Sequence, residues 1–540
     1  MRHMEKLDGL KQNSLFDIES FGWWHTQLDP GVLRRLDDGI EGMIRRTVLR
    51  LMPAVELGQA FCEDFGRPTK ELYAICALML LAEFKNWTID DTADAWCLNS
   101  AVQYALNLPR DRQSLCPRTV DNYRRLLREN DRAQEIFETV TAELVSELGI
   151  SIKKQRLDST HVLSNMARFG RLKFLAITVR RFLVQLKRHA RAEYDALPEA
   201  LKKRYLAAES RLFGSGTKQT QNYAEALQQT GEDIGELIAR FSGDEAIAKR
   251  PSYQKLERAF REHCELTDAG EIAIRPKAED ENGKSSQVMQ NTSDPDAGYS
   301  GHKGAGHQVQ LAQTHGHKEE GPGIIVGCIV ENAGEADAQA PEKIAAQQKR
   351  MGTLPEELLA DTAYGSQANI QASAARGCEL ISPAAGKKKA DIGENGGDAL
   401  DQRRAKEETA EWKENYAKRS GIEGLNAALK NTTGMRRLRV RGAKAVAMSI
   451  YFKVTGWNIR SAVQIARRRT KNAKKAAQAT RPGVLKSAKA ATPRTDYRPQ
   501  RKNPLIRGNK SRERNFSDFE QKPDPDQNPF LRLYLDNDYD

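Results

Sequence analysis

The chain has 540 residues, of which 39% are hydrophobic and 29% are charged. This length predicts two to four domains and excludes a peptide hormone or a small binding module. The longest apolar stretch, 74–82, is far shorter than the roughly 20 residues that span a bilayer, and no apolar run follows the charged N-terminus. We therefore expect a soluble, cytoplasmic protein.

The spacing of the cysteines and the distribution of charge each limit the kinds of site that the chain can contain. The seven cysteines include no CxxC pair, which argues against a disulfide framework and against a thiolate zinc site. The formal net charge is +12, yet 467–515 alone contains 17 Lys or Arg and two acidic residues. The rest of the chain is therefore slightly acidic. We interpret 466–540 as a flexible tail, basic and then acidic, whose cations neutralise DNA phosphates without reading sequence.

The first 150 residues are predicted to form a helical domain that binds DNA. Apolar residues recur at helical spacing through 67–130, with breaks at Asn-Ser, Leu-Pro and Cys-Pro. A recognition helix and an ordinary solvated helix face both explain the cations of the last segment. These cations are Arg118, Arg124, Arg125 and Arg128.

A strand is predicted over 151–157, ending at Asp158, and a helical insertion over 165–299 follows it. Within the insertion, leucines and a valine form one apolar helical stripe over 172–186. The opposite side is basic, which serves either solubility or contact with nucleic acid. Its cations are Lys173, Arg180, Arg181, Lys187, Arg188 and Arg191.

The remaining chain predicts a mixed α/β layout, in which one sheet is flanked by helices. We assign 151–164 plus 300–465 to this core. The predicted strands are 307–314, 323–330, 357–359 and 378–382, and the predicted helices are 336–351, 366–376 and a long one over about 407–430.

Three carboxylates are candidates for a metal site. Asp158 and Asp361 follow predicted strands, where the turn exposes a side chain while the sheet holds it in place. An aspartate that only forms a turn or caps a helix would show the same sequence pattern. Glu423 lies on the predicted long helix. At 100° per residue it falls within an arc of about 60° that also contains Tyr416, Arg419 and Lys430. An amphipathic helix with surface charges, buried through Ile422, Leu425 and Leu429, is the alternative.

The spacing of Tyr416, Arg419, Glu423 and Lys430 resembles the YREK signature of bacterial insertion-sequence transposases. The DST at Asp158, the DTAYGS at Asp361, and the SDPDA and HKGAGHQVQLA segments are also similar to these enzymes. The resemblance covers about 60–465 and is nearest to insertion-sequence family 1182. It implies an RNase H-like core with a large insertion.

The same resemblance implies that Asp158, Asp361 and Glu423 bind two Mg²⁺ ions, with Mn²⁺ as a substitute. Such a site would cleave the ends of the element and join them to target DNA, with Tyr416, Arg419 and Lys430 contacting the DNA. Further contacts are assigned to Arg124, Arg125, Arg180, Arg181, Lys187 and Arg188. A homodimer on the terminal inverted repeats is expected, associated with the nucleoid. A nuclease without strand transfer and a non-catalytic DNA-binding regulator are alternatives.

Two further groups of residues suggest other kinds of site. His302, His307, His315 and His317 lie close in sequence, but their spacing fits no closed zinc site, and a strand edge and turn explain them better. Ser159 and His161 beside Asp158 could indicate hydrolase chemistry. Residues two apart on one strand share a face without reaching the geometry of a catalytic triad, so we do not favour this interpretation.

Overall fold

A computed structural model describes Trp24 and residues 28–62, 69–108, 114–207, 223–316, 321–384 and 398–479. Most of the predicted tail lies outside these residues, and its interpretation stays a prediction. No helix within the described ranges is long and apolar enough to cross a membrane.

The first described segment is helical. Leu72–Lys85 is apolar around its whole circumference and lies at the centre of this layer, because a helix without a polar face is stable only when it is surrounded. Thr88 and Asp91 cap the next helix reciprocally. The helices are α1 Pro30–Asp37, α2 Ile40–Met43, α3 Ala54–Gly58, α4 Leu72–Lys85, α5 Ile89–Leu98, α6 Ser100–Ala105, α7 Pro117–Glu129 and α8 Arg132–Glu147; a π-helical Ile44–Val48 and a 3₁₀ turn Leu49–Leu51 join α2 to α3.

Strand β1, Lys154–Val162, follows α8 and leads into the insertion. The apolar stripe predicted over 172–186 is confirmed: it faces a separate apolar cluster formed by the helices of the insertion. The insertion contains α9 Arg171–His189, α10 Arg191–Asp195, α11 Glu199–Leu206, α12 Tyr223–Phe241, α13 Glu245–Ala248, α14 Pro251–His263 and a hairpin of β2 Cys264–Leu266 and β3 Ile272–Ile274.

A six-stranded mixed sheet follows. Its other strands are β4 Gly298–Ser300, β5 Gly304–Thr314, β6 Ile325–Asn332, β7 Glu357–Leu359 and β8 Glu379–Ile381. The order β6–β5–β1–β7–β8 has antiparallel pairs on one side of β1 and parallel pairs on the other, and β4 pairs with the start of β5. This mixed sheet, flanked by helices, confirms the predicted class and is compatible with an RNase H-like core.

The remaining helices cover the sheet. They are α15 Ala340–Met351, α16 Gln367–Ala375, α17 Asp398–Glu407, α18 Ala410–Ala417, α19 Gly421–Thr433 and α20 Ala443–Ala479, with 3₁₀ turns at Asp337–Gln339, Thr362–Tyr364 and Lys418–Ser420. One face of the sheet packs against α15 through Leu157 and Ile344. The other face joins α19, α20 and the N-terminal helices in a single apolar cluster. The N-terminal helices therefore share their core with the sheet.

Two predicted boundaries are wrong. The strand predicted to end at Asp158 continues to Val162, because β5 pairs with it along its whole length as far as His307. The long helix predicted over about 407–430 is divided into α18 and α19 by the 3₁₀ turn Lys418–Ser420. Thr409 caps the start of α18 by accepting a hydrogen bond from the Trp412 amide.

Candidate active site

Asp158 and Asp361 lie side by side because of strand register. In the parallel β1–β7 pair, Arg156 lies opposite Leu359. Asp158 and Asp361 each follow this pair by two residues, and the negative charge of Asp361 contributes to the raised pKa of Asp158, so the two carboxylates are close. Asp361 also caps the 3₁₀ turn that follows by accepting a hydrogen bond from the Thr362 amide at 2.7 Å. The capping alternative and a role in the site are therefore compatible.

Asp158 is largely shielded from water. Its Oδ2 accepts a hydrogen bond from Asn426 Nδ2 at 3.0 Å, so α19 lies over this position of the strand. Burial raises the pKa of Asp158 above its ordinary value, while the positive charges of Arg419 and Lys303 oppose that rise. Nearby cations therefore favour the ionised form of this carboxylate, and burial disfavours it.

Glu423 lies in the first turn of α19, with its side chain 62% exposed. Ile422, Leu425 and Leu429 on the opposite side of the helix are buried, as the amphipathic pattern predicts. The carboxylate of Glu423 accepts a hydrogen bond from Arg419 Nη2 at 3.0 Å. Glu423 is thus presented from the helix that also contacts Asp158.

Arg419 connects the three carboxylates. Burial lowers its pKa, but Tyr416 and the carboxylates outweigh this effect, so the pKa lies above its ordinary value. The carboxylates concerned are Asp361, Asp158 and Glu423. The Tyr416 ring lies 5.9 Å from the guanidinium and stacks on Trp412, with ring centroids 4.8 Å apart. The guanidinium therefore forms an ion pair with Glu423 and interacts electrostatically with Asp361 and Asp158.

The donor chemistry fits a hard divalent cation. Carboxylate oxygens are the ligands that Mg²⁺ and Mn²⁺ prefer, and two of the three are adjacent by register. The third carboxylate, that of Glu423, forms an ion pair with Arg419. Among the described residues, no three His, Cys, Asp or Glu side chains lie close enough together to bind one metal ion.

Two residues near Asp158 were not selected from the sequence. Asn426 follows Glu423 by three positions, so helical spacing alone could have placed it on the same side of α19. Lys303 lies in the β4–β5 turn, and its Nζ donates to Ser159 Oγ at 3.0 Å, next to Asp158. No local pattern reveals Lys303, because its approach depends on the antiparallel pairing of β5 with β1.

Lys430 completes the positive side of the site. Burial lowers its pKa, and the charges of Arg436 and Lys303 lower it further, while Asp158 opposes them. Tyr416, Arg419, Glu423 and Lys430 belong to two helices and a turn: Tyr416 lies on α18, Arg419 in the 3₁₀ turn, and Glu423 and Lys430 on α19.

A family model described as the transposase DDE domain matches residues 374–463. The match begins within α16, runs from β8 through α19, and ends within α20, so it includes Glu423 and Lys430. Asp158 and Asp361 precede it. No curated protein and no solved structure matches the chain significantly. The match supports a DDE transposase, an enzyme that binds and processes DNA, and this family generally uses divalent metal ions.

The other cations predicted to contact DNA lie elsewhere. Arg124 and Arg125 lie on α7. Arg124 forms an ion pair with Glu83 at 2.5 Å, and Arg125 Nη2 donates a hydrogen bond to Asn122 at 3.1 Å. On α9, Arg181 Nη1 donates to Thr292 at 2.8 Å and Lys187 Nζ lies 5.6 Å from the Tyr194 ring. Arg180 is half-buried and Arg188 is exposed on the same helix. The structure does not bring these residues to the carboxylates.

The histidines do not gather around a zinc position in the described residues. His307 pairs with Asp294 at 3.2 Å, with both side chains buried, and His315 approaches Glu357 at 3.9 Å. His302 is exposed, and His317 lies outside the described residues. Ser159 Oγ donates to Asp337 at 3.3 Å, away from any nucleophile–histidine pair.

Replacing Arg419 with glutamine tests its charge balance. We expect the pKa of Asp158 to rise further, because burial then acts with less opposition. Because a carboxylate binds a divalent cation only in its ionised form, the acid limb of the pH–rate profile expected for a metal-dependent site should move to higher pH. The matched control is Lys418→Gln, which removes an exposed neighbouring cation whose Nζ donates to Asn415. An acid limb that moves equally in both variants would contradict the assignment.

Proposed function

We propose that the chain is a transposase of the insertion-sequence 1182 type, which cleaves the ends of its element and joins them to target DNA. The observations that support the proposal are the parallel register of β1 and β7, which Asp158 and Asp361 follow by two residues, and the hydrogen bond from Asn426 to Asp158, because Asn426 lies on the same helix as Glu423. The transposase family match over the segment that contains this helix supports it.

Asp158, Asp361 and Glu423 would hold two Mg²⁺ ions, which when bound supply charge stabilisation and an activated oxygen nucleophile for in-line displacement at phosphorus. Other side chains of the protein would position the carboxylates and the DNA strand. Asn426 fixes the Asp158 carboxylate. Arg419, once Glu423 turns away, and Lys430 offer charge-assisted hydrogen bonds to phosphate oxygens.

The remaining surfaces are assigned by charge. The cations of α7 and α9 and of the 466–540 tail would contact phosphates along the duplex, which positions the enzyme without reading sequence. We further propose a homodimer on DNA, since two element ends must be joined to one target and two-fold symmetry is the commonest closed arrangement.

Strand transfer separates this function from a nuclease of the same architecture. The full-length protein is incubated with a labelled fragment of its element end, a target plasmid and Mg²⁺. We expect label covalently joined to the plasmid. Cleaved fragment without joined product would favour a nuclease, and binding without cleavage would favour a regulator.

A further inference from the structure

The side chain of Arg156 lies on the same face of the sheet as Asp158, because alternate residues of a strand share a face. Arg156 is opposite Gln313 in the β1–β5 pair. Its Nε and Nη2 both donate to Gln313 Oε1, at 3.0 and 2.6 Å, and Gln313 Nε2 donates in turn to the Gly323 carbonyl at 3.2 Å. The strand beside β1 therefore fixes the orientation of this guanidinium.

The remaining nitrogen of the guanidinium reaches the chain just before α19. Arg156 Nη1 donates to the Lys418 carbonyl at 3.3 Å, in the 3₁₀ turn Lys418–Ser420. It also lies against Gly421, the first residue of α19, where a Cβ atom would be 1.8 Å from Nη1. The backbone of Gly421 is right-handed helical, with φ −63° and ψ −18°. Glycine is therefore required here by space and not by backbone conformation.

Gly424 provides a comparison within the same helix. No atom of the described residues lies within 4 Å of the position that a Cβ would take at Gly424. Glycine weakens a helix relative to alanine at either position. The contact with Arg156 gives a physical reason for the glycine at 421, and no such contact exists at 424 in the described part of the chain.

Arg156 is a half-buried cation whose hydrogen bonds go to neutral oxygen atoms. Burial lowers its pKa, and no carboxylate of the described residues opposes that effect. Burying an uncompensated charge costs free energy that a neutral side chain would not. The guanidinium contributes geometry instead, because its rigid, planar set of donors joins β1 and β5 to the turn before α19.

Helix α19 is thus held against β1 at two points. Arg156 contacts its start, and Asp158, two residues along the strand, accepts a hydrogen bond from Asn426, five residues along the helix from Gly421. Two residues of strand span about 6.6 Å and five residues of helix about 7.5 Å, so the contacts match in spacing when the helix runs along the strand. Glu423 lies between the two points, and the two contacts together set the rotation of the helix that carries it.

We propose that Arg156 is a positioning residue, which holds the start of α19 so that Arg419 and Glu423 stay near Asp158. It acts through the turn and the helix, and it is assigned no contact with DNA or with a metal ion. The proposal rests on the proposed function, because it takes these side chains to be the ones that cleavage requires. The transposase match begins at residue 374 and does not cover Arg156.

Hydrogen exchange measured by mass spectrometry, on the full-length protein in EDTA, tests the contact independently of activity. Arg156→Gln removes the hydrogen bond to Lys418, and Gly421→Ala displaces the guanidinium, which is the end of a flexible side chain. We expect the amides of 418–426 to exchange roughly tenfold to a hundredfold faster in both variants, the effect of losing one hydrogen bond from a charged group. The matched control, Gly424→Ala, should not exchange faster.

Cleavage of the labelled element end is the second readout. In Arg156→Gln and in Gly421→Ala, kcat should fall by about a hundredfold, as for a small misplacement of a reacting group, while KM for DNA stays within about twofold. Both substitutions remove the same interaction, so the double variant should lose no more than Arg156→Gln alone. Gly424→Ala should cleave like the unmodified protein.

Unchanged exchange over 418–426 in Arg156→Gln, or losses of kcat that multiply in the double variant, would overturn the proposal. Faster exchange in Arg156→Gln, together with an unmodified protein that does not cleave, would refute the proposed function alone. An active unmodified protein whose Arg156→Gln variant keeps its kcat would refute the positioning role alone.

Discussion

Replacing Asp158 with asparagine is expected to lower DNA cleavage by about a thousandfold or more, since groups that act as a unit lose most of the rate when one is removed. The same is expected of Asp361→Asn and Glu423→Gln. These amides keep the shape of the side chain but remove the charge that would bind a metal. DNA affinity in anisotropy measurements should stay within a few-fold of the unmodified protein, because phosphate contacts are made by cations.

Glu414→Gln is the control for this series. Glu414 is an exposed acid on α18, two residues before Tyr416, and its replacement should leave cleavage within about twofold. If one of the three variants keeps activity within about tenfold of the unmodified protein, that residue does not belong to the triad.

Replacing Lys453 with methionine is expected to destabilise the fold by about 3–5 kcal/mol, the usual cost of breaking a buried ion pair from one side. Lys453 is 1% exposed on α20, and its Nζ donates to the Glu83 carbonyl at 2.7 Å and to the Thr433 carbonyl at 2.8 Å. The Glu83 carboxylate lies 3.6 Å away. This lysine thus ties the end of α19, the helix of Glu423, to α4 and α20.

Lys444→Met is the matched control on the same helix. Lys444 pairs with Asp131 at 2.9 Å, but both side chains are more than half exposed, so its loss should cost less than about 1 kcal/mol. Urea unfolding followed by circular dichroism compares the two variants. Equal unfolding midpoints would show that the buried contacts of Lys453 contribute nothing beyond those of a surface pair.

Element types were largely predictable from the sequence. The apolar stripe of α9 and the buried side of α19 follow from helical spacing, because a continuous apolar face of a helix is stabilised by packing against the core, away from water. Boundaries were less predictable. The end of β1 was placed too early because its pairing with β5 continues to Val162, and the 3₁₀ turn Lys418–Ser420 divided a helix that looked continuous.

The sequence predicted the candidate residues of the site better than it predicted their spatial arrangement. Helical projection grouped Tyr416 with Arg419, Glu423 and Lys430, and Arg419 contacts both the Tyr416 ring and the Glu423 carboxylate despite the break before α19. Lys303 and Asn426 were missed. Their proximity to Asp158 depends on which strands pair and which helix covers them, and neither is encoded in local spacing.

The sequence by itself determined the helical and strand periodicities, the mixed α/β class and a set of acids and cations with a recognisable spacing, because each depends on residues close along the chain. Only the tertiary structure decided that Asp361 lies beside Asp158, since parallel register joins residues 203 positions apart. It also decided that Arg419 interacts electrostatically with three carboxylates and that Arg124 forms an ion pair with Glu83. These are electrostatic contacts between distant segments, and the packing of α4, α19 and α20 against the sheet creates them.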